Sequence, residues 1–130
     1  MRISDFLRIP YVPHGRDANG CDCWGLVRLV RQALRGDDLA AHATVDPDDK
    51  PAMTAATHDV LSGGFEQVGP QAGAIACVWR ADFCIHVGIV LEAERRLVVL
   101  ETTPHGGPRW LRIEDFETRY RRVTYHDRDL

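Results

Sequence analysis

DCWGLVRLVRQALR, residues 22–35, carries the period of an amphipathic helix. Cys23, Val27, Val30 and Leu34 fall on one face, and Arg28, Arg31 and Arg35 on another. Asp22 is a good N-cap and Gly36 a good terminator. Arginines late in the segment suit the helix dipole. Gly25 sits in the first turn, where it lowers helix stability. The usual reason for such a glycine is close approach of another backbone or of a substrate.

Working outward, residues 10–20 (PYVPHGRDANG) read as an ordered loop because of their prolines and glycines. A short helix is expected from Ser4 to before Pro10. Downstream, the acidic stretch 37–51 reads as a solvated loop and 53–61 as a short helix ending at Gly63-Gly64. Strands are expected at 65–68, 74–79, 84–91, 96–101 and 121–126, with one helical turn at 114–119. Helices first and an antiparallel meander after them mean an α+β fold, in a single domain spanning 1–130.

Chemistry concentrates at the helix start. Backbone N–H groups in a first turn have no intrahelical partners, so they favour an anion. A cysteine there, Cys23, is expected to have a lowered thiol pKa and to share its amides with a developing oxyanion. Cys21 precedes the cap and has neither advantage. Burial as a core residue on the apolar face is the competing reading for Cys23. His86, in the alternating stretch CIHVGIVL, is the candidate base. His86, Gly88 and Val90 are expected on one side, Ile85, Val87, Ile89 and Leu91 on the other. Gly88 then leaves room beside the histidine for a helix or substrate. Glu101, at the end of the next strand, could accept from the imidazole and fix its tautomer. His105, in a Gly-Gly-Pro loop, is the rival for that place. Tyr11, Trp24 and Asp22 are candidates for the oxyanion and substrate-binding side, with packing or capping as the alternative for each.

Composition excludes several classes. The net charge of −3 offers no global basic field for nucleic acid, although arginine supplies 15 of the 16 basic residues. No apolar run approaches the roughly 20 residues of a membrane span. The opening MRISDFLRIPYVPHGR lacks the charged-then-apolar pattern of a signal peptide, so synthesis in the cytoplasm is expected. Neither a cofactor nor a metal is called for. Cys21, Cys23, Cys77 and Cys84 lack zinc-knuckle spacing, and Cys77 and Cys84 read as small buried residues beside a hairpin.

Together, PYVPHGR, GCDCWGLV and HVGIVL resemble the NlpC-type family of papain-like cysteine peptidases, most closely its phage-tail branch. The likeness runs from about residue 9 to residue 125. It implies a papain-like fold and a peptidoglycan stem peptide cut beside D-glutamate. It also implies Cys23 and His86 as catalytic residues, with Tyr11 beside the oxyanion. Phage-tail proteins are the implied partners. The family's third polar residue is usually histidine, whereas the matching position here is Glu101. Ala74 stands where the family usually has aspartate at a strand entrance. The expected activity is amide hydrolysis through a thioester, with Cys23, His86 and Glu101 as the catalytic set. The alternative is a structural tail-assembly module that keeps the fold and has little or no activity. An acyltransferase with the same dyad also fits, because the dyad does not fix the acyl acceptor.

Overall fold

The computed structural model describes residues 2–130. Its first half is helical and holds one small hairpin. Helix α1 (Ile3–Phe6) is followed by strands β1 (Arg16–Asp17) and β2 (Gly20–Cys21), then helix α2 (Cys23–Arg35) and helix α3 (Lys50–Leu61). The second half contains β3 (Glu66–Val68), β4 (Ile75–Arg80), β5 (Phe83–Ala93), β6 (Arg96–Thr103), β7 (Gly107–Arg112), helix α4 (Ile113–Tyr120) and β8 (Val123–Asp127). The α+β expectation holds. Six strands form one antiparallel sheet in the order β3-β8-β4-β5-β6-β7.

Two features depart from a plain meander. Strand β7 starts inside the expected His-Gly-Gly-Pro turn and continues through residues given no element from sequence, and β8 inserts between β3 and β4. The turn-rich His-Gly-Gly-Pro stretch hid the start of β7. Helix α4 carries the chain back across the sheet, so the last strand pairs with β4 and not with its sequence neighbour.

The sheet is buried on both faces. Helix α2 brings Val27 and Val30 against Ile75, Val87, Ile89, Val98 and Leu100. On the other face, Phe116 of α4 packs with Val78, Val90, Val99 and Tyr125. Alternation along β5 breaks at a bulge where the register shifts between Val78 and Trp79. The extra residue puts Ile85 on the α4 side, against the expectation that it would share a face with Val87.

Helix α2 forms as its sequence suggests, with Asp22 Oδ1 accepting from Gly25 N at 2.9 Å and Gly36 closing it in the left-handed region. Its faces are less simple. Leu34 is exposed, whereas Arg31 is fully buried. Arg31 donates from Nε to Asp37 at 2.9 Å and from Nη1 to Asp127 at 2.5 Å and to the Gly73 carbonyl at 2.7 Å. Arg128 donates to the same Asp37. The stretch after α2 is therefore only partly solvated, because Asp37 and Leu39 are buried.

Candidate active site

Backbone hydrogen bonds hold the loop before α2 in place. Tyr11 bridges in parallel to Cys21, Val12 N donates to Cys21 O at 3.1 Å, and Cys21 N donates to Pro10 O at 3.1 Å. The Gly15 carbonyl lies directly where a Cβ on Gly25 would project. Gly25 thus serves the approach of a backbone. Arg16 ties the loop down, donating to Asp22 Oδ1 at 2.6 Å and to the Ala41 and His42 carbonyls. Asp22 is fully buried as cap and ion-pair partner, and its second oxygen, Oδ2, has no hydrogen-bond partner.

Cys23 opens α2 and is buried. Burial first, then the charge of Asp22, pushes its thiol up to about 12, although the Val87 and Trp24 backbone N–H groups favour the thiolate. The lowered thiol pKa expected from the helix start is overturned: desolvation outweighs the first-turn amides. The phenol of Tyr11 is likewise pushed up to about 12, by burial and then by the neighbouring Cys23 and Asp22 charges. Tyr11, Asp22 and Cys23 are therefore one local group. Trp24 is different: its indole N–H donates to the Ala40 carbonyl at 2.9 Å, and it lines a small apolar cavity with Met53, Thr57 and Val87. These contacts pack the indole against α3 and β5.

The Val87 amide is available to sulfur because of the sheet register. Val90 N donates to Ala74 O, so the even-numbered backbone groups of this part of β5 face β4 and the odd-numbered ones face β6. Pairing between β5 and β6 stops at Ile89–Leu100, which leaves Val87 without a partner strand on that edge. Gly88 lets β6 come close before the strands part: a Cβ there would lie 2.7 Å from Val99 Cγ1 and 3.0 Å from the Leu100 carbonyl. The expected neighbour of Gly88 was a helix or substrate; the neighbour found is β6.

His86, one residue from that amide, turns its ring toward the α4 side. Its Nε2 lies 2.7 Å from Glu101 Oε1. A carboxylate only accepts, so Nε2 carries a proton, and in the neutral form of the ring the lone pair is then on Nδ1. Glu101 is fully buried. Burial raises its carboxyl, but hydrogen bonds from His86, Tyr120 and Arg109 outweigh that and leave it at about 2. His105, the rival orienter, is exposed in the β6–β7 turn.

The structure thus gathers Tyr11, Asp22 and Cys23 at the start of α2, and His86 and Glu101 across β5 and β6. The sulfur and the imidazole approach β5 from different layers, the sulfur at the Val87 amide and the ring beside Tyr120. Arg109 and Tyr120 were missed in the sequence. Reading residues 107–112 as a strand paired with β6 would have set Arg109 opposite Glu101, an opposite-charge cross-strand pair. Tyr120, one residue beyond the helical turn expected at 114–119, left no such signal. Among the described residues, no group of three or more His, Cys, Asp or Glu is placed to hold a metal ion.

No protein-family model and no curated protein matches the sequence. Among solved structures, the crystal structure of the NlpC/p60 domain of the peptidoglycan hydrolase SagA is similar, with a TM-score of 0.58. The match covers 95% of this chain and 89% of that one at 18% identity. This chain therefore has the papain-like fold of an NlpC/p60 domain, helices packed on an antiparallel sheet.

Proposed function

We propose that this chain is a cysteine hydrolase that cleaves amide bonds in peptidoglycan stem peptides, beside D-glutamate. The observation that carries the reading is the pairing of His86 Nε2 with Glu101 Oε1 at 2.7 Å, in a fold that sets Cys23 at the first position of α2. The fold shared with a peptidoglycan hydrolase domain supports the substrate class. The phage-tail setting rests on the sequence resemblance.

This reading requires the His86 ring and the Cys23 sulfur to meet at the free edge of β5, where Nδ1 takes the thiol proton as Sγ attacks the amide carbonyl. Because burial keeps the thiol neutral at rest, proton transfer accompanies attack; no standing thiolate is needed. The negative oxygen is received by the Cys23 amide and the Tyr11 hydroxyl. Collapse of the tetrahedral species breaks the C–N bond, and the departing amine takes the proton from His86. Water, deprotonated by His86, then hydrolyses the thioester and returns the thiol. Glu101 holds the ring and stabilises the transient imidazolium. Asp22 caps the helix that carries Cys23 and, through Arg16, fixes the loop that carries Tyr11.

A second reading, a non-catalytic tail-assembly module, is favoured by the burial of Cys23 and by the different layers that carry the sulfur and the imidazole. Incubation with peptidoglycan fragments separates the two. Release of new amino groups that disappears in Cys23→Ala supports the hydrolase. No release from several wall types, alongside binding to tail proteins, supports the module.

A further inference from the structure

Glu101 is a buried anion against the imidazole that the hydrolase reading needs as a base. An unopposed anion there would hold His86 as imidazolium, which cannot accept a thiol proton. Two side chains outside the proposed catalytic set oppose that outcome. Arg109 Nε donates to Glu101 Oε2 at 2.8 Å. Tyr120 OH donates at 2.6 Å to Oε1, the same oxygen that takes His86 Nε2. The guanidinium is a permanent positive charge, and the phenol competes for the lone pairs that would otherwise serve the imidazolium.

Building on the hydrolase reading, we propose that Arg109 and Tyr120 are positioning residues that offset the charge of Glu101, so that it orients His86 without locking it in the protonated form. The surroundings of His86 fit this division of labour. Across β6 and β7 stand Glu101 and Arg109. From α4 come Tyr120, its ring centroid 5.3 Å from that of His86, and Arg119, 5.5 Å over the Tyr120 ring. Cys23 of α2 lies in the other layer, with Val87. Within β5, Cys84 Sγ donates to the His86 carbonyl at 3.6 Å. On β4 the residue opposite His86 is the apolar Val78. Among the described residues, Glu101 is the one carboxylate hydrogen-bonded to this ring. Phe116, 4.8 Å from Tyr120 between centroids, backs the phenol and fixes its aim.

A structural role alone would not move the titration of His86. Arg109 is 41% exposed in its side chain, and a pair with one partner that exposed adds little to stability. Its removal should leave the fold intact and act on the Glu101–His86 pair.

The test is an NMR titration of the His86 imidazole in the full chain. With Arg109→Gln the midpoint should rise by about half a pH unit or more, because a nearby positive charge is lost. Arg109→Lys should restore it, Tyr120→Phe should raise it by less, and Glu101→Gln should lower it. An unmoved or lowered midpoint in Arg109→Gln or in Tyr120→Phe overturns the role of that residue. If Arg109→Gln loses its dispersed spectrum, Arg109→Met gives the same reading. Titration needs no turnover, so a parallel hydrolysis assay keeps the two ideas apart. Midpoints that move without any cleavage uphold the charge offset and sink the hydrolase. Cleavage with unmoved midpoints does the reverse.

Discussion

The carbonyl oxygen of Gly15 occupies the place where a side chain on Gly25 would begin. This contact locks the loop that carries Tyr11 onto the first turn of the helix that carries Cys23. Alanine at Gly25 would improve helix propensity, yet here it must displace backbone. Gly25→Ala should cost about 1–3 kcal/mol through overpacking and lower kcat/KM further by moving Tyr11. Gly36 is the control, because nothing lies within 4 Å of its added Cβ. Gly36→Ala, at φ 64°, should cost about 1 kcal/mol for the left-handed backbone and leave kcat/KM unchanged. Urea unfolding and steady-state kinetics on both variants check this.

The state of the Cys23 thiol gives a second prediction. Burial and Asp22 push it up to about 12, so free protein should alkylate slowly at mildly acid pH. The rate at Cys23, mapped by mass spectrometry after iodoacetamide, should climb steadily through pH 9. A plateau already reached below pH 6 would show a resting thiolate–imidazolium pair and contradict proton transfer during attack.

Acid should weaken the fold through its paired carboxylates. Glu101 and Asp127 are each held at about 2, and Asp37 is lowered as well. In each case burial opposes ionisation and hydrogen bonds outweigh it. All three lie below their unfolded values of about 4.3 for Glu and about 3.9 for Asp, so the unfolded chain binds protons first as pH falls. Stability should be complete above about pH 5 and fall as pH drops from there toward 2. Unfolding free energies equal at pH 6 and pH 3 would be the contrary result.

Arg31 supplies a fourth prediction, separable from catalysis. It is buried between Asp37 and Asp127, and removing one member of such a network leaves charge uncompensated. Arg31→Met should lose about 3–5 kcal/mol. Hydrolysis per folded molecule should stay the same, because the network lies away from His86 and Cys23. Denaturation and active-fraction measurements on one preparation check both halves.

What the sequence disclosed follows from local physics. The Asp22 cap, the α2 start and the pairing of His86 with Glu101 were legible because each depends on neighbours in the chain or across one hairpin. The charge on Arg31 was misread because helical period shows which face a residue takes but not whether a carboxylate 96 positions away waits there. The bulge at Ile85 and the return of β8 beside β4 arise from sheet closure, which leaves no local mark. The thiol was misread for a related reason: first-turn amides are visible in sequence, but the depth of burial is not. Arg109 stayed hidden behind turn residues that begin a strand.

Intact-mass trapping tests the catalytic assignment most directly. Stem peptide is mixed with the protein, quenched in acid within one turnover, and any adduct is mapped by proteolysis. The expected result is an acyl mass on Cys23, absent from Cys23→Ala and slow to form in His86→Ala. Cleavage undiminished in Cys23→Ala, or an adduct on Cys21, Cys77 or Cys84 in its place, would contradict it.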